Sequence, residues 1–244
     1  MATTTIAVIN SSTLLTDDQA KVIAPALQDQ VHKDFGPVWG LDADLTFVAK
    51  GGQPPQGSWW LALLDDSDQA GALGYRDLTD EGLPMGKAFV RADLQAGTQW
   101  TVTASHELLE MLVDPDINLS AYVQKDGGSM LLYAYEVCDA CEADAVGYKI
   151  GDVLVSDFVY PAWFESFRSP GSTHFDFTKQ ISKPFDLLPG GYISVFDTSN
   201  TAGWTQKFSE NQPRKYAMRA AVGSRRERRR IPRSEWMRSE LKKK

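Results

Sequence analysis

Thr101-Val-Thr-Ala-Ser-His-Glu-Leu-Leu-Glu-Met-Leu-Val113, followed at once by Asp114-Pro115, is the stretch on which the fold turns. Leu108, Met111 and Leu112 share one side of a helix, and Leu109 and Val113 lie on another, so a helix over 101–113 is mostly apolar. Such a helix is buried on most sides. It ends at Asp114, because a residue before proline avoids the helical region. His106 and Glu110, four residues apart, share a face with Cβ atoms about 5–6 Å apart. Imidazole and carboxylate are thus placed to bind one metal ion side by side, and Glu107 to contact a water at that ion. A histidine and two glutamates in an apolar helix are costly to bury unless paired or bound to metal. The plain alternative is a solvated polar face that spells H-E-x-x-E by chance.

Upstream, Thr5–Asn10 (TIAVIN) is β-branched and apolar and reads as a first strand. Thr16-Asp17-Asp18-Gln19 forms a capping box with acids in the first turn. Ile23, Leu27, Val31 and Phe35 then recur at four-residue spacing, so a helix runs to about residue 34, kinked or restarted by Pro25. Leu45, Phe47 and Ala49 alternate as a half-buried strand, GGQPPQG is a loop, and Trp59–Leu64 (WWLALL) reads as a central buried strand. Ala72–Leu78 and Lys87–Ala92 are further strand candidates. The order is β-α-β-β-β-β-α. Beyond the motif the chain is expected to be irregular: a loop over 116–120, and strands only at Met130–Tyr135, Val153–Val159 and Tyr192–Phe196.

With 43% hydrophobic and 23% charged residues, the 244-residue chain has globular composition, which rules out wholesale disorder, collagen and coiled coil. Uncharged apolar runs of about 18 residues are absent, so no membrane span is expected. MATTTIAVIN has neither a basic start nor a long apolar core, so no signal peptide is expected. The expected location is the cytoplasm, or a particle that delivers the protein. Two cysteines, Cys138 and Cys141, cannot make a disulfide framework. The net charge of -7 is unevenly spread. Residues 224–244 carry ten basic and three acidic side chains, a balance of +7, and residues 1–223 hold -14. A domain over 1–223 with a basic tail over 224–244 follows. That tail is either a solvated end or a handle for an acidic protein surface or nucleic acid.

His106-Glu107-x-x-Glu110, the strand–helix–strands order before it, and the acidic cluster Glu136-Val137-Cys138-Asp139-Ala140-Cys141-Glu142 together resemble the zincin class of metallopeptidases. The likeness is to the zincin-like proteins of bacteria and phosphate-induced plant proteins, in which an H-E-x-x-E helix ending near D/N-P is followed by E-x-x-D-x-C. Here those pieces are His106, Glu107, Glu110, Asp114-Pro115, Glu136, Asp139 and Cys141. The resemblance implies an α+β zincin-like fold, a mixed twisted sheet on the motif helix, and an antiparallel edge strand that binds extended peptide. Ala72–Leu78 or Lys87–Ala92 would be that edge. It implies a metal-dependent peptidase in which Glu107 is the general base and His106 and Glu110 hold the metal. Either Glu136 or Asp139 completes the set; Glu136 is favoured, with Asp139 then orienting His106. Zincins usually carry a second histidine where Glu110 stands. The oxygen-rich set here suits zinc and admits manganese, iron or calcium. The substrate would be a peptide or protein. The alternative is an inactive relative, a structural or cargo protein docked through its basic tail.

Other constellations read more plainly. Cys138-x-x-Cys141 lacks the placement of a redox pair, half of a zinc site, and the proline of a deaminase motif; two buried thiols in a turn fit best. Asp114-x-Asp116-x-Asn118-x-Ser120 resembles a calcium loop, but Leu119 stands where glycine is needed and Lys125 where glutamate is needed. A capped turn is expected there. His174 reads as a loop histidine, and His32, on the first helix, as out of reach of the site.

Overall fold

The computed structural model describes residues 4–67, 72–125 and 127–209. The basic tail lies outside the described residues, as does any partner contact it makes. The first strand, β1 (Thr4–Asn10), leads into helix α1 (Asp17–Lys21). Its capping box is formed: the Gln19 amide donates to Thr16 Oγ1 (3.2 Å) and the Thr16 amide to Gln19 Oε1 (2.8 Å). Helix α2 (Ile23–Asp29) restarts with Pro25 in its first turn, where the missing N–H costs nothing. The expected helix to residue 34 therefore exists in pieces. A π-helical turn follows over Gln30–Phe35, then α3 (Gly36–Trp39), stopped by Gly40 at φ 67°.

Strands β2 (Ala43–Val48), β3 (Trp59–Leu64), β4 (Gly74–Leu78) and β5 (Pro84–Phe89) join β1 in a sheet of order β2-β1-β3-β5-β4. β1 runs parallel to β2 and β3, β3 runs parallel to β5, and β4 is antiparallel to β5. The apolar run WWLALL is the central strand, as its composition requires. β4 is thus an antiparallel edge. The expected strand over Lys87–Ala92 stops at Phe89, because Val90–Ala96 winds into helix α4, closed by Gly97 at φ 72°. Ala92, Leu94, Gln95 and Ala96 favour a helix more than a strand.

The motif helix, α5, spans Trp100–Val113 and is buried from Ala104 to Leu112. It packs across β3, β5 and β4. Gly86 on β5 allows the approach: a Cβ there would stand 3.2 Å from that of Glu107. Asp114 caps the end of α5, its carboxylate accepting from the amides of Asn118 (3.0 Å) and Leu119 (3.1 Å). The calcium-like string is therefore a capped turn.

The later part is more regular than expected. β6 (Ser120–Gln124), β7 (Met130–Ala134), β10 (Tyr192–Asp197) and β11 (Trp204–Phe208) form an antiparallel sheet of order β11-β10-β7-β6, and β8 (Tyr148–Ile150) pairs with β9 (Val153–Val155). The expected strand over 153–159 ends early because Asp157 turns its carboxylate back onto the Phe158 amide (2.8 Å). Stacked rings tie this part together, Tyr135 on Phe164 (3.9 Å between centroids) and Tyr133 on Phe185 (4.3 Å), and Phe35 edge-on to Phe158 (5.0 Å) joins it to the first. A mixed sheet and antiparallel sheets with few helices make this an α+β protein. No helix among the described residues is long and apolar enough to cross a membrane.

Candidate metal centre

α5 delivers His106, Glu107 and Glu110 from one buried turn. His106 is 8% exposed, Glu107 6% and Glu110 fully buried. The imidazole Nε2 lies 3.2 Å from Glu110 Oε1 and 3.3 Å from Asp139 Oδ1. Asp139 opens a 3-10 turn, Asp139–Cys141, closed by the Cys141 amide on the Cys138 carbonyl (3.0 Å). That turn also brings Glu142 inward. Ligand atoms of His106, Asp139 and Glu142 all lie within 4.8 Å of one another, a group that could hold a metal ion.

The electrostatics reflect crowded acids. Burial, then Asp139, pushes the Glu142 carboxyl up to about 8. Burial alone would lower the His106 pKa, but Glu110 and Asp139 hold it well above its ordinary value. Burial also pushes the Cys138 thiol up, with Glu110 and Asp139 adding to it against His106. Both cysteines are free and buried, as two structural thiols should be.

Glu107, which raises the Glu142 carboxyl further, reaches toward the sheet. A Cβ on Gly74, the first residue of β4, would stand 2.8 Å from Glu107 Oε1. Its carboxylate therefore sits under the antiparallel edge, where only a glycine leaves it room.

Glu136 is buried too, but its carboxylate pairs with the guanidinium of Arg76 from β4. Of the two acids weighed as the third ligand, Asp139 is the one that faces His106, and Glu136 faces Arg76. Arg76 Nε also lies 3.5 Å from Glu110 Oε2, and its Nη1 donates to the main-chain carbonyls of Glu110 (2.7 Å) and Asp114 (2.9 Å). His32 sits elsewhere, 3.0 Å from Asp42, and His174 is exposed.

Sequence reasoning missed Glu142, Arg76 and Gln30 as contributors. Glu142 belongs to the quoted acidic cluster, and the i+3 spacing from Asp139 was the available signal. Arg76 is a lone cation in a short strand and gave none. Gln30 is fully buried on the π-helical turn and reaches Ser105, the residue before His106: Ser105 Oγ donates to its Oε1 (2.7 Å). The chain matches no family model, no curated protein and no solved structure.

Proposed function

We propose that this chain is a metal-dependent hydrolase with a zincin-like arrangement, acting on peptide bonds. The observation that carries this is the pair of contacts made by His106 Nε2, to Glu110 at 3.2 Å and Asp139 at 3.3 Å, with Glu142 alongside. Donor atoms about 2.0–2.1 Å from a tetrahedral zinc stand roughly 3.3 Å apart, so these spacings suit a shared ion. One imidazole nitrogen with carboxylate oxygens suits zinc and also harder divalent cations. His106, Glu110, Asp139 and Glu142 would hold the ion. When bound, it would lower the pKa of a water and polarise a carbonyl.

Glu107 would take the proton from that water and pass it to the leaving amine. Its place under β4 supports that role, because an extended peptide added to the edge of β4 that no described strand occupies would pass above it. Burial of Glu107, Glu110 and Asp139 limits access of bulk water and strengthens each of these interactions.

A non-catalytic metal site is the rival, favoured by one observation: Glu110 and Asp139 are almost wholly buried, as the ligands of a closed structural site would be. Elemental analysis with Glu107→Gln and His106→Ala decides between them. The wild type should retain an equimolar divalent cation and cleave a peptide library. His106→Ala should lose the cation. Glu107→Gln should keep it and lose about 10²–10⁴-fold in rate. Full activity in Glu107→Gln, or a wild type that binds no cation, overturns the proposal.

A further inference from the structure

Arg76 carries an inference of its own. It sits midway along β4, opposite Gly86, and its side chain is 1% exposed. The guanidinium is spent in several directions at once. Nη1 donates to the carbonyls of Glu110 and Asp114 at the end of α5, where a cation also meets the negative end of the helix dipole. Nη2 pairs with Glu136, and Nε faces Glu110 Oε2 at 3.5 Å.

The two oxygens of Glu110 are thereby divided. Oε2 is turned to Arg76, while Oε1 lies 3.2 Å from His106 Nε2 and accepts from the Cys138 amide at 3.4 Å. The carboxylate is held from both sides, so its rotation about the terminal bond is fixed. We propose that Arg76 is a positioning residue for the metal site: it takes one oxygen of Glu110 and so presents the other, singly, to the cation beside His106. This rests on the metal-dependent reading above. A lysine would keep the charge but not the planar fork that serves two carbonyls and two carboxylates together.

The test uses the full chain as wild type, Arg76→Met, Arg76→Lys and Glu136→Gln. Zn²⁺ affinity is measured against a chromophoric chelator, the Co²⁺-substituted proteins are compared by absorption spectrum, and the metal-free proteins by circular dichroism. Arg76→Met and Arg76→Lys should lose about 10–100-fold in Zn²⁺ affinity and shift the Co²⁺ bands, as changes to groups that orient a ligand do. Their metal-free spectra should match wild type. Glu136→Gln leaves Arg76 on Glu110 and should keep wild-type affinity and bands. Arg76→Lys with unchanged affinity and Co²⁺ bands overturns the inference, and so does a Glu136→Gln loss equal to that of Arg76→Met, which would mean that Arg76 merely tethers the 136 segment. If Arg76→Met fails to fold, Arg76→Lys and Glu136→Gln still decide. A wild type that takes up neither Zn²⁺ nor Co²⁺ overturns the metal reading itself, a result distinct from either of these.

Discussion

Replacing Gln30 by leucine tests the strut behind the motif helix. Gln30 has no exposed surface, and its amide is fully engaged. Oε1 accepts from Ser105 Oγ (2.7 Å), and Nε2 donates to the Ser156 carbonyl (2.9 Å) and to Tyr148 Oη (3.2 Å). Leucine is similar in size, so the change creates little cavity, and the cost comes from what is left unpaired. Tyr148 keeps its bond to Asp34 (2.9 Å), and Ser105 Oγ still accepts from the Ser156 amide (3.0 Å). The Ser156 carbonyl and the Ser105 hydroxyl proton lose their partners in a buried setting. At about 1–3 kcal/mol for each such group, Gln30→Leu should cost roughly 2–6 kcal/mol. In a chain of this size that lowers Tm by about 4–24 °C. Urea unfolding followed by circular dichroism gives the free energy, provided the slope is unchanged. Adding Ser105→Ala removes the orphaned hydroxyl but leaves the buried Ser156 amide without its acceptor, so the double variant should lie within about 1 kcal/mol of Gln30→Leu. A loss below about 0.5 kcal/mol, or a double variant that falls further by the full cost of Ser105→Ala alone, refutes the reasoning.

Asp93 should give stability an unusual pH dependence. It is fully buried, and burial pushes its carboxyl up to about 7, against hydrogen bonds from Thr103 (2.8 Å) and Thr98 (2.9 Å). A pKa raised by folding stabilises below the unfolded value and is lost as pH rises, so this contribution should disappear between about pH 4 and 7, by about 4 kcal/mol. Asp93→Asn keeps an oxygen for both hydroxyls, and its urea midpoint should decline less over that window; equal slopes would dismiss the idea. Gly74→Ala would put a Cβ 2.7 Å from the Lys87 carbonyl and 2.8 Å from Glu107 Oε1. It should cost about 1–3 kcal/mol and depress hydrolysis while leaving Zn²⁺ affinity intact, since it crowds the base and not the ligands. Unchanged turnover in Gly74→Ala would show that Glu107 does no proton work at that edge.

The first half of the fold was legible because its signals are local and periodic. TIAVIN and WWLALL declare strands by composition, and the capping box at Thr16 formed as read. The motif helix runs within one residue of its expected span. Failures gather where tertiary contacts override local preference. Phe89 to Val90 passes from strand to helix without a Gly or Pro to mark it. β6 carries only Ala121 and Val123 as inward residues, too weak an alternation to separate from a loop. The later segments owe their places to rings stacked across the molecule, which no window of sequence displays. The choice between Glu136 and Asp139 had the same character. Both acids fit the spacing, and what separates them is Arg76, 60 residues from Glu136 in sequence and drawn beneath α5 by the pairing of β4 with β5.

That arginine also bears on why the cluster tolerates so much acid. Glu107, Glu110, Glu136 and Asp139 are buried, and Glu142 is partly so. Arg76 and His106 both lie against these carboxylates. Like charges crowded in a low-dielectric interior are costly to keep ionised. Holding protons relieves that crowding, and the Glu142 carboxyl and the His106 imidazole are both shifted upward in that direction. Protons held there occupy the acceptor oxygens and the imidazole nitrogen that a divalent cation would use. If a cation binds there, proton and cation compete for one place, and stability and metal affinity are linked through it. A purely structural polar cluster would gain by replacing acids with amides, which pair without charge. Retaining carboxylates around one imidazole makes physical sense if the full negative charge is used when a cation is bound.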